Sequence, residues 1–218
     1  MKLDTESPQS GRSARDVHSA PLCASRLSHE VLLPPSLKDA IAGKRTLSQE
    51  ERIQCSASDQ QALLRIFPQV SGTQRLRNAV TLGDAGAVPT ESSLRIGVVF
   101  CGRQCPGGHN IVQGLLKGIR SSTLIGYKNG TVGLMNGESV ELDENALALY
   151  RNTGGYDLLG RSKDQMSEGH QLAAIAQTCA RDRLDGLVCV GGTITATHTA
   201  VLAEYLKEQA VGTTVVAV

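Results

Sequence analysis

Residues 101–110 form the segment whose residue types and spacing best suit a chemical task. They read C-G-R-Q-C-P-G-G-H-N and follow the apolar run 94–100, which has the pattern of a buried strand. A glycine-rich turn between a strand and a helix lets the backbone approach an anion, where free N–H groups and the helix dipole favour negative charge. The candidate phosphate-binding residues of this first loop are Gly102, Arg103, Gly107 and Gly108.

Two familiar phosphate-binding patterns do not fit this loop. The pattern G-x-x-x-x-G-K-[ST] needs a lysine and a hydroxyl residue where Gly108 and His109 stand, so nothing would reach the terminal phosphates or hold magnesium in that manner. The dinucleotide pattern G-x-G-x-x-G needs glycine at Gln104, two positions after Gly102. The loop therefore argues against an ordinary P-loop NTPase and against a dinucleotide-binding enzyme.

Two further segments carry glycine turns or cations. Gly191 and Gly192 follow the apolar run 184–190, which repeats the arrangement of the first loop. Residues 153–163 contain another glycine pair, followed by Arg161 and Lys163, whose side chains are donors suited to phosphate oxygens. Glycines also make ordinary turns and surface cations are commonly solvated, but three such segments at one sheet edge favour a phosphate site.

Composition sets the broad class of protein. The chain has 218 residues, of which 40% are hydrophobic, and its 22 Lys and Arg against 21 Asp and Glu give a net charge of +1. This balance provides no overall attraction to nucleic acid or to a membrane surface, so we expect neither partner and favour a phosphorylated small molecule. No apolar stretch approaches the roughly 20 residues of a membrane span and no signal-peptide core is visible, so we expect a cytoplasmic protein.

Cysteine and histidine spacing raises the question of a metal site. The six cysteines are scattered, which favours reduced thiols over disulfides. Cys101, Cys105 and His109 form C-x3-C-x3-H, but no fourth ligand is near and a strand-to-loop geometry suits zinc poorly, so we predict no metal there.

Candidate acids and bases are few. His109 and His198 are the candidate general bases, and Asp157 and Asp164 lie near the candidate cations. No carboxylate stands at a spacing that would orient either imidazole ring, and a histidine near a helix start is more often hydrogen-bonded or on the surface. We assign no catalytic residue.

The sequence divides into three parts. Residues 1–20 are polar and aperiodic, which predicts a disordered tail. Residues 21–92 hold short apolar clusters between prolines and glycines, which predicts a mostly helical or extended arm. In residues 93–218 the periodicity predicts strands at 95–100, 122–127, 184–190 and 213–218, and helices at 110–120, 143–151, 171–181 and 195–209.

Alternating strands and helices predict the α/β class, with a parallel sheet and helices on both faces. Ligands of such sheets bind beyond the carboxyl ends of the strands, where both glycine turns would lie. We expect the helix at 171–181 to be buried through Leu172, Ile175, Ala176 and Cys179, and the helix at 195–209 to present Ala196, Ala200, Ala203 and Leu206 on one face.

Three motifs together resemble one known family. The loop 101–110, Y-R-N-T-G-G-Y-D-L-L-G-R-S-K-D-Q from Tyr150, and L-D-G-L-V-C-V-G-G from Leu184 resemble the pyrophosphate-dependent phosphofructokinases of the long, plant type. More narrowly, they are similar to the alpha, regulatory subunit or the equivalent half of fused forms. A weaker likeness at R-L-S-H from Arg26 and P-P-S-L from Pro34 extends the resemblance over nearly everything after the tail. It implies a phosphofructokinase-like three-layer sandwich.

The resemblance also implies the ligands. In that family the two glycine turns embrace pyrophosphate, or ATP in relatives, with Mg²⁺ as cofactor, and fructose 6-phosphate enters from the opposite side. Catalytic members carry a second glycine where Arg103 stands, and two aspartates, for magnesium and for selecting pyrophosphate, where Thr193 and Ile194 stand. A hydroxyl and an aliphatic side chain do not supply the carboxylate oxygens that magnesium favours, so we expect this chain not to hold the metal.

The function implied by the resemblance is that of a regulatory subunit in glycolysis. Such a subunit supports phosphorylation of fructose 6-phosphate to fructose 1,6-bisphosphate by a catalytic beta-type subunit or fused half, and fructose 2,6-bisphosphate is the implied effector. Because the family continues past the position of Val218 with a segment that holds the catalytic base, we expect a domain incomplete at its carboxyl end and inactive alone. Two alternatives stay open: a fragment of an active phosphofructokinase whose catalytic residues lie beyond Val218, and a ligand-free docking module.

Overall fold

The computed structural model describes residues 21–29, 45–47, 50–52, 56–71, 75–77, 82–84, 93–102, 107–119 and 121–218. The predicted tail at 1–20, Arg103 and Cys105 lie outside this part. The helices are α1 Pro21–Ser28, α2 Ala57–Ile66, α3 Gly108–Gly118, α4 Gly130–Asn136, α5 Glu144–Leu147, α6 Gly169–Arg181 and α7 Thr193–Glu208. The strands are β1 Arg45–Leu47, β2 Glu50–Arg52, β3 Arg75–Arg77, β4 Leu82–Asp84, β5 Arg95–Phe100, β6 Thr123–Tyr127, β7 Ser139–Leu142, β8 Gly186–Val190 and β9 Thr214–Ala217.

Five strands form the central sheet, in the order β7-β6-β5-β8-β9. β5 pairs in parallel with β6 and β8, and β8 pairs in parallel with β9. The predicted α/β class is confirmed, but the sheet is mixed, because β7 runs antiparallel to β6. β5 lies at the centre and is buried from Gly97 to Phe100, which explains why its apolar run is unbroken.

Helices cover both faces of the sheet, as predicted. On one face, α3 and α5 pack through Val112 and Leu147 against Val98, Phe100 and Val188. On the other face, α4, α6 and α7 cover the sheet with a second set of buried side chains, which includes Leu134, Leu172, Ile175, Cys179, Leu202 and Leu206. The predicted buried face of α6 is confirmed, since all four of its predicted residues are buried.

α7 packs through a different face from the predicted one. Its buried residues are Thr195, Thr199, Leu202, Glu204 and Leu206, whereas Ala196 is exposed. The prediction of an alanine face is therefore wrong, and Leu206 alone belongs to both sets. Thr199 Oγ1 donates to Thr195 O at 2.7 Å, which satisfies the buried hydroxyl within the helix. Apolar periodicity does not detect a helix face built on threonine.

The segment between β6 and α6 also differs from expectation. The predicted helix at 143–151 is shorter, since α5 spans Glu144–Leu147, with Asp143 Oδ1 accepting a hydrogen bond from Ala146 N at 2.7 Å as its N-cap. α4 and β7 have no counterpart among the predictions. Both are short, and Gly130 and Gly133 interrupt the periodicity of α4.

The described parts of the arm contain α1, α2 and four short strands. β1 pairs antiparallel with β4, and β2 pairs antiparallel with β3. At the end of α1, Asn152 Nδ2 donates to the carbonyl oxygens of Arg26 and His29, 2.9 and 2.6 Å away. These two bonds hold α1 against the loop that follows α5. Among the described residues, no helix is both long and apolar enough to cross a membrane.

Glu204 on α7 holds the turn that follows α2. Its carboxylate is 7% exposed and accepts hydrogen bonds from the backbone N–H groups of Gln69 and Val70, at 2.7 and 2.9 Å. Lys207 Nζ, one turn nearer the end of the helix, donates to Gln69 O at 3.2 Å. The buried acid is thus satisfied by backbone donors, and it connects the arm to the domain.

Replacing Glu204 by alanine is expected to release this turn, because the amides of Gln69 and Val70 lose their buried acceptors, at a cost of about 1–3 kcal/mol. Hydrogen exchange measured by NMR should show both amides exchanging about tenfold faster or more, since 1.4 kcal/mol corresponds to a factor of ten. Glu208→Ala, at an exposed glutamate on the same helix, is the control. Unchanged protection of the two amides in Glu204→Ala would contradict the prediction.

Candidate functional site

A cleft of about 1110 Å³ opens at the carboxyl ends of β5 and β8. Open α/β sheets bind their ligands at this edge. Four segments line it: the end of β5, the start of α4, the loop 161–166 and the first turns of α7. The described lining residues are Cys101, Gly102, Thr131, Arg161, Lys163, Asp164, Gln165, Met166, Gly192, Thr193, Ile194, Thr195 and His198.

The two glycine turns meet beside this cleft. Cys101 N donates to Val190 O at 2.7 Å, which fixes the end of β5 against the end of β8. Gly102 has φ 75°, a left-handed conformation that favours glycine, and it faces the side chain of Thr195. A Cβ atom at Gly191 would collide with Thr195 and with the backbone oxygen of Cys101. The second turn therefore needs glycine so that α7 can pack against the end of β5.

Arg161 connects the third segment to the first loop. Its Nη1 donates to Gly102 O at 3.1 Å, and its guanidinium lies over the ring of Tyr156, 4.7 Å from the centroid. Arg161 Nε is buried and has no hydrogen-bond partner within the described part of the chain. Lys163 lies exposed at the same cleft. Two cations thus face one cavity, and both side chains suit phosphate oxygens.

The start of α4 holds the loop that carries both cations. A Cβ atom at Gly130 would collide with Ser162 N and Phe100 O, so glycine allows the loop to approach the end of β5. Thr131 Oγ1 donates to Asp164 O at 2.7 Å and lies 2.8 Å from Ser162 Oγ. Because the hydroxyl hydrogen of Thr131 is used for Asp164 O, Ser162 Oγ is the donor in the second bond.

The structure brings some of the predicted phosphate-binding residues together and separates others. Gly102, Arg161, Lys163 and Gly192 line the cleft, and Gly191 adjoins it. Arg103 lies outside the described residues. Phosphate binding by this set stays a prediction.

The two remaining glycines of the first loop lie at the start of α3, where it packs against a later loop. Gly107 is the N-cap of α3 with φ 78°, and Gly108 is buried. A Cβ atom at Gly108 would press against Gly155 O and the ring of Phe100. Neither lines the cleft. Gly107 and Gly108 therefore allow the start of α3 to pack closely against the loop that follows α5.

Thr131 and Met166 line the cleft and were missed by sequence reasoning. The Asn129–Gly130 pair is a turn signal that could have placed Thr131 at the start of a helix. Met166 is 1% exposed and lies in a loop between two elements, where nothing in the sequence pattern marks it.

His109, one of the candidate bases, is buried at the start of α3 and lies outside the cleft lining. Leu158 N donates to its Nε2 at 3.2 Å, and its Nδ1 lies 2.9 Å from Thr153 Oγ1. Thr153 Oγ1 itself donates to Tyr150 O at 2.6 Å, so Nδ1 is the protonated ring nitrogen and donates to the hydroxyl. Both nitrogens are used in holding the loop 150–158, and burial lowers the pKa of His109.

This environment predicts a pH-dependent stability. Because the pKa of His109 is lower in the folded than in the unfolded chain, its contribution is present above the ordinary histidine value and is lost as pH falls below it. The urea midpoint should therefore fall between about pH 7.5 and about pH 5.5. His109→Gln should flatten that fall, whereas His170→Gln, at an exposed histidine, should leave it unchanged. Equal pH dependence in all three chains would refute the assignment.

The donor set at the start of α7 does not fit magnesium. Thr193 offers one hydroxyl, and Ile194 offers an aliphatic side chain that is 66% exposed. Asp164 is the carboxylate that lines the described part of the cleft, and Asp157 is exposed outside it. Mg²⁺ favours carboxylate and phosphate oxygens in octahedral array. Within the described ranges, no three His, Cys, Asp or Glu side chains form a group that could hold a metal ion.

The mixed, mostly parallel sheet and the cation-lined cleft at its carboxyl edge define an α/β protein with a cleft between two glycine turns. Residues 95–218 match the model of the family described as phosphofructokinase, and the chain belongs to that family.

The chain is similar over most of its length to subunits of pyrophosphate–fructose 6-phosphate 1-phosphotransferases. It is 37% identical over 206 residues to subunit alpha 1 of Arabidopsis thaliana, covering 91% of this chain and 33% of that relative. It is 30% identical over 220 residues to subunit beta of Solanum tuberosum, covering 99% of this chain and 37% of the relative. The chain thus spans about a third of the length of these relatives.

Among solved structures, the chain is similar to the phosphofructokinase of Pichia pastoris in the T-state. The TM-score is 0.49 at 19% identity, and the match covers 66% of this chain and 16% of that one.

Proposed function

We propose that this chain is the regulatory, alpha-type subunit or half of a pyrophosphate-dependent 6-phosphofructokinase that works in the cytoplasm in glycolysis. A catalytic beta-type subunit or fused half phosphorylates fructose 6-phosphate to fructose 1,6-bisphosphate. The cleft of this chain takes a phosphate or sugar bisphosphate and transfers no phosphoryl group. The observation that carries the proposal is a cleft with two cations beside a helix start without carboxylates.

Charge neutralisation explains why such a cleft suits binding better than catalysis. Phosphoryl transfer relies on metal ions to neutralise charge between the transferring groups. Thr193 and Ile194 do not fit that metal, whereas Arg161 and Lys163 can pair directly with phosphate oxygens. A ligand held in this way is recognised by its charge and stays intact, which favours a role in regulation.

The relatives support the choice of subunit type. The chain is 37% identical to subunit alpha 1 of Arabidopsis thaliana and 30% identical to subunit beta of Solanum tuberosum. Since these relatives are named as alpha and beta subunits, a beta-type chain is the partner that we propose.

The test combines binding, turnover and assembly. Calorimetry with pyrophosphate in EDTA should give saturable binding, and the chain alone with pyrophosphate, fructose 6-phosphate and Mg²⁺ should form no fructose 1,6-bisphosphate. Co-expression with a beta-type subunit should give a complex by size-exclusion chromatography, with an activity that changes when this chain is present.

Each contrary result points to one of the alternatives. Formation of fructose 1,6-bisphosphate by the chain alone would overturn the regulatory proposal in favour of an active phosphofructokinase. Absence of binding to pyrophosphate and to fructose 2,6-bisphosphate, with the complex intact, would favour the ligand-free docking module.

A further inference from the structure

His198 lies in the cleft at the carboxyl edge of the sheet. It is half-buried on the second turn of α7, on the side of the helix that carries Ile194 and Thr195 into the cavity. Within the described part of the chain, its imidazole makes no hydrogen bond or ion pair. It differs in this from His109, whose two ring nitrogens are both used. The ring of His198 is therefore available to a molecule in the cleft.

The charges that face His198 across the cleft favour an anion. The loop 161–166 contributes the cations Arg161 and Lys163 and the carboxylate Asp164. The end of β5 contributes Cys101, and the start of α4 contributes Thr131. At neutral pH the described lining thus has two cations and one anion, and protonation of the imidazole adds a third cation.

We propose that His198 is a pH-dependent contact for the anion in this cleft, so that protonation of its ring strengthens binding of a metal-free phosphate or diphosphate group. This inference rests on the proposed phosphate-binding role of the cleft and adds how binding there is regulated. A histidine normally changes charge between about pH 5 and 8. The cleft therefore binds its ligand more tightly in acid than in alkaline solution.

The same charges select the form of the ligand. A diphosphate chelated by Mg²⁺ carries less negative charge than the free anion. A third cation in the cleft therefore attracts the chelate less strongly than it attracts the free anion. The protonated cleft therefore prefers the uncomplexed anion, and added Mg²⁺ is expected to weaken binding by competing for pyrophosphate.

The experiment measures anion affinity in EDTA at about pH 5.5 and about pH 8, on either side of the histidine range. Sulfate is the first probe, because its charge is constant over this interval, and pyrophosphate is the second. The ratio of the acid to the alkaline affinity should be about fivefold larger for the native chain than for His198→Asn, as expected for one added cation near a partly solvated anion.

Two further variants make the test specific. His198→Lys keeps a cation at both pH values, so its binding should be tight and its sulfate affinity nearly independent of pH. His170→Asn removes an exposed histidine on α6, outside the cleft lining, and should keep the native ratio. Because His198 is only half-buried, we expect each variant to fold, and circular dichroism checks this.

NMR provides an independent measure. At about pH 5.5, saturating sulfate should shift the ring signals of His198, because the anion binds in the cleft that this residue lines. The ring signals of His170, which lies outside the cleft lining, should stay in place when sulfate is added.

The outcomes separate the inference from the function on which it rests. Binding with equal pH dependence in the native chain and in His198→Asn overturns the role of His198 and leaves the phosphate-binding function standing. Absence of binding of sulfate, pyrophosphate and fructose 2,6-bisphosphate at both pH values overturns both.

Discussion

Replacing Gly133 by alanine is expected to cost about 3 kcal/mol or more of folding free energy, because the new methyl group has no room and overpacking against backbone cannot relax cheaply. Gly133 is buried in α4, and a Cβ atom there would collide with the backbone carbonyl of Lys128. Urea unfolding followed by circular dichroism should show a clearly lower midpoint. Since α4 also carries Thr131, the loop of Arg161 should lose its anchor.

Gly114→Ala is the matched control for this substitution. Gly114 is also a helix glycine, on α3, but it is exposed and a Cβ atom there meets open space. Alanine at such a position is expected to stabilise the chain by about 0.5–1 kcal/mol. If both variants shift the midpoint in the same direction by similar amounts, the packing of α4 against Lys128 is not as described.

Replacing Arg161 by alanine is expected to weaken pyrophosphate binding in EDTA by about tenfold to a hundredfold. A charge-assisted hydrogen bond contributes about 1.5–3 kcal/mol, and 1.4 kcal/mol corresponds to a factor of ten. Arg161 also donates to Gly102 O, so its loss frees the first loop as well as removing a cation. Calorimetry on the folded variant measures the effect.

Two variants control for charge alone. Arg161→Lys keeps the positive charge but loses the planar fork over Tyr156, and its affinity should lie between those of the native chain and Arg161→Ala. Lys117→Ala removes an exposed cation on α3, outside the cleft lining, and should leave binding unchanged. A native affinity in Arg161→Ala would exclude this arginine from the site.

The central strands could be predicted because burial on both faces leaves a strong pattern. The predicted strands at 95–100 and 184–190 match β5 and β8 closely, and the glycine turns after them lie at one edge, as the fold class requires. The edge strand β7 gave no such signal. Its four residues alternate between exposed and more buried positions, so they lack the continuous apolar run of the central strands.

The roles of the individual residues in the first loop could not be predicted, because they depend on contacts between residues that are far apart in sequence. Gly108 faces Gly155, and His109 binds Thr153 and Leu158, so a motif that reads as one phosphate loop is partly a packing surface for a later segment. The prediction of an alanine face on α7 was wrong for a related reason. Threonines that satisfy their own hydroxyls within the helix can be buried like apolar residues, and a hydrophobicity pattern does not count them.

The length of α7 has a mechanical consequence. The helix has 16 residues, about 24 Å from end to end, with Thr193 and Ile194 at its beginning and Glu204 in its last two turns. A continuous helix is stiff, so when one end moves along the helix axis, the other end moves with it. A displacement of α7 along its axis would therefore reach both the mouth of the cavity and the turn after α2.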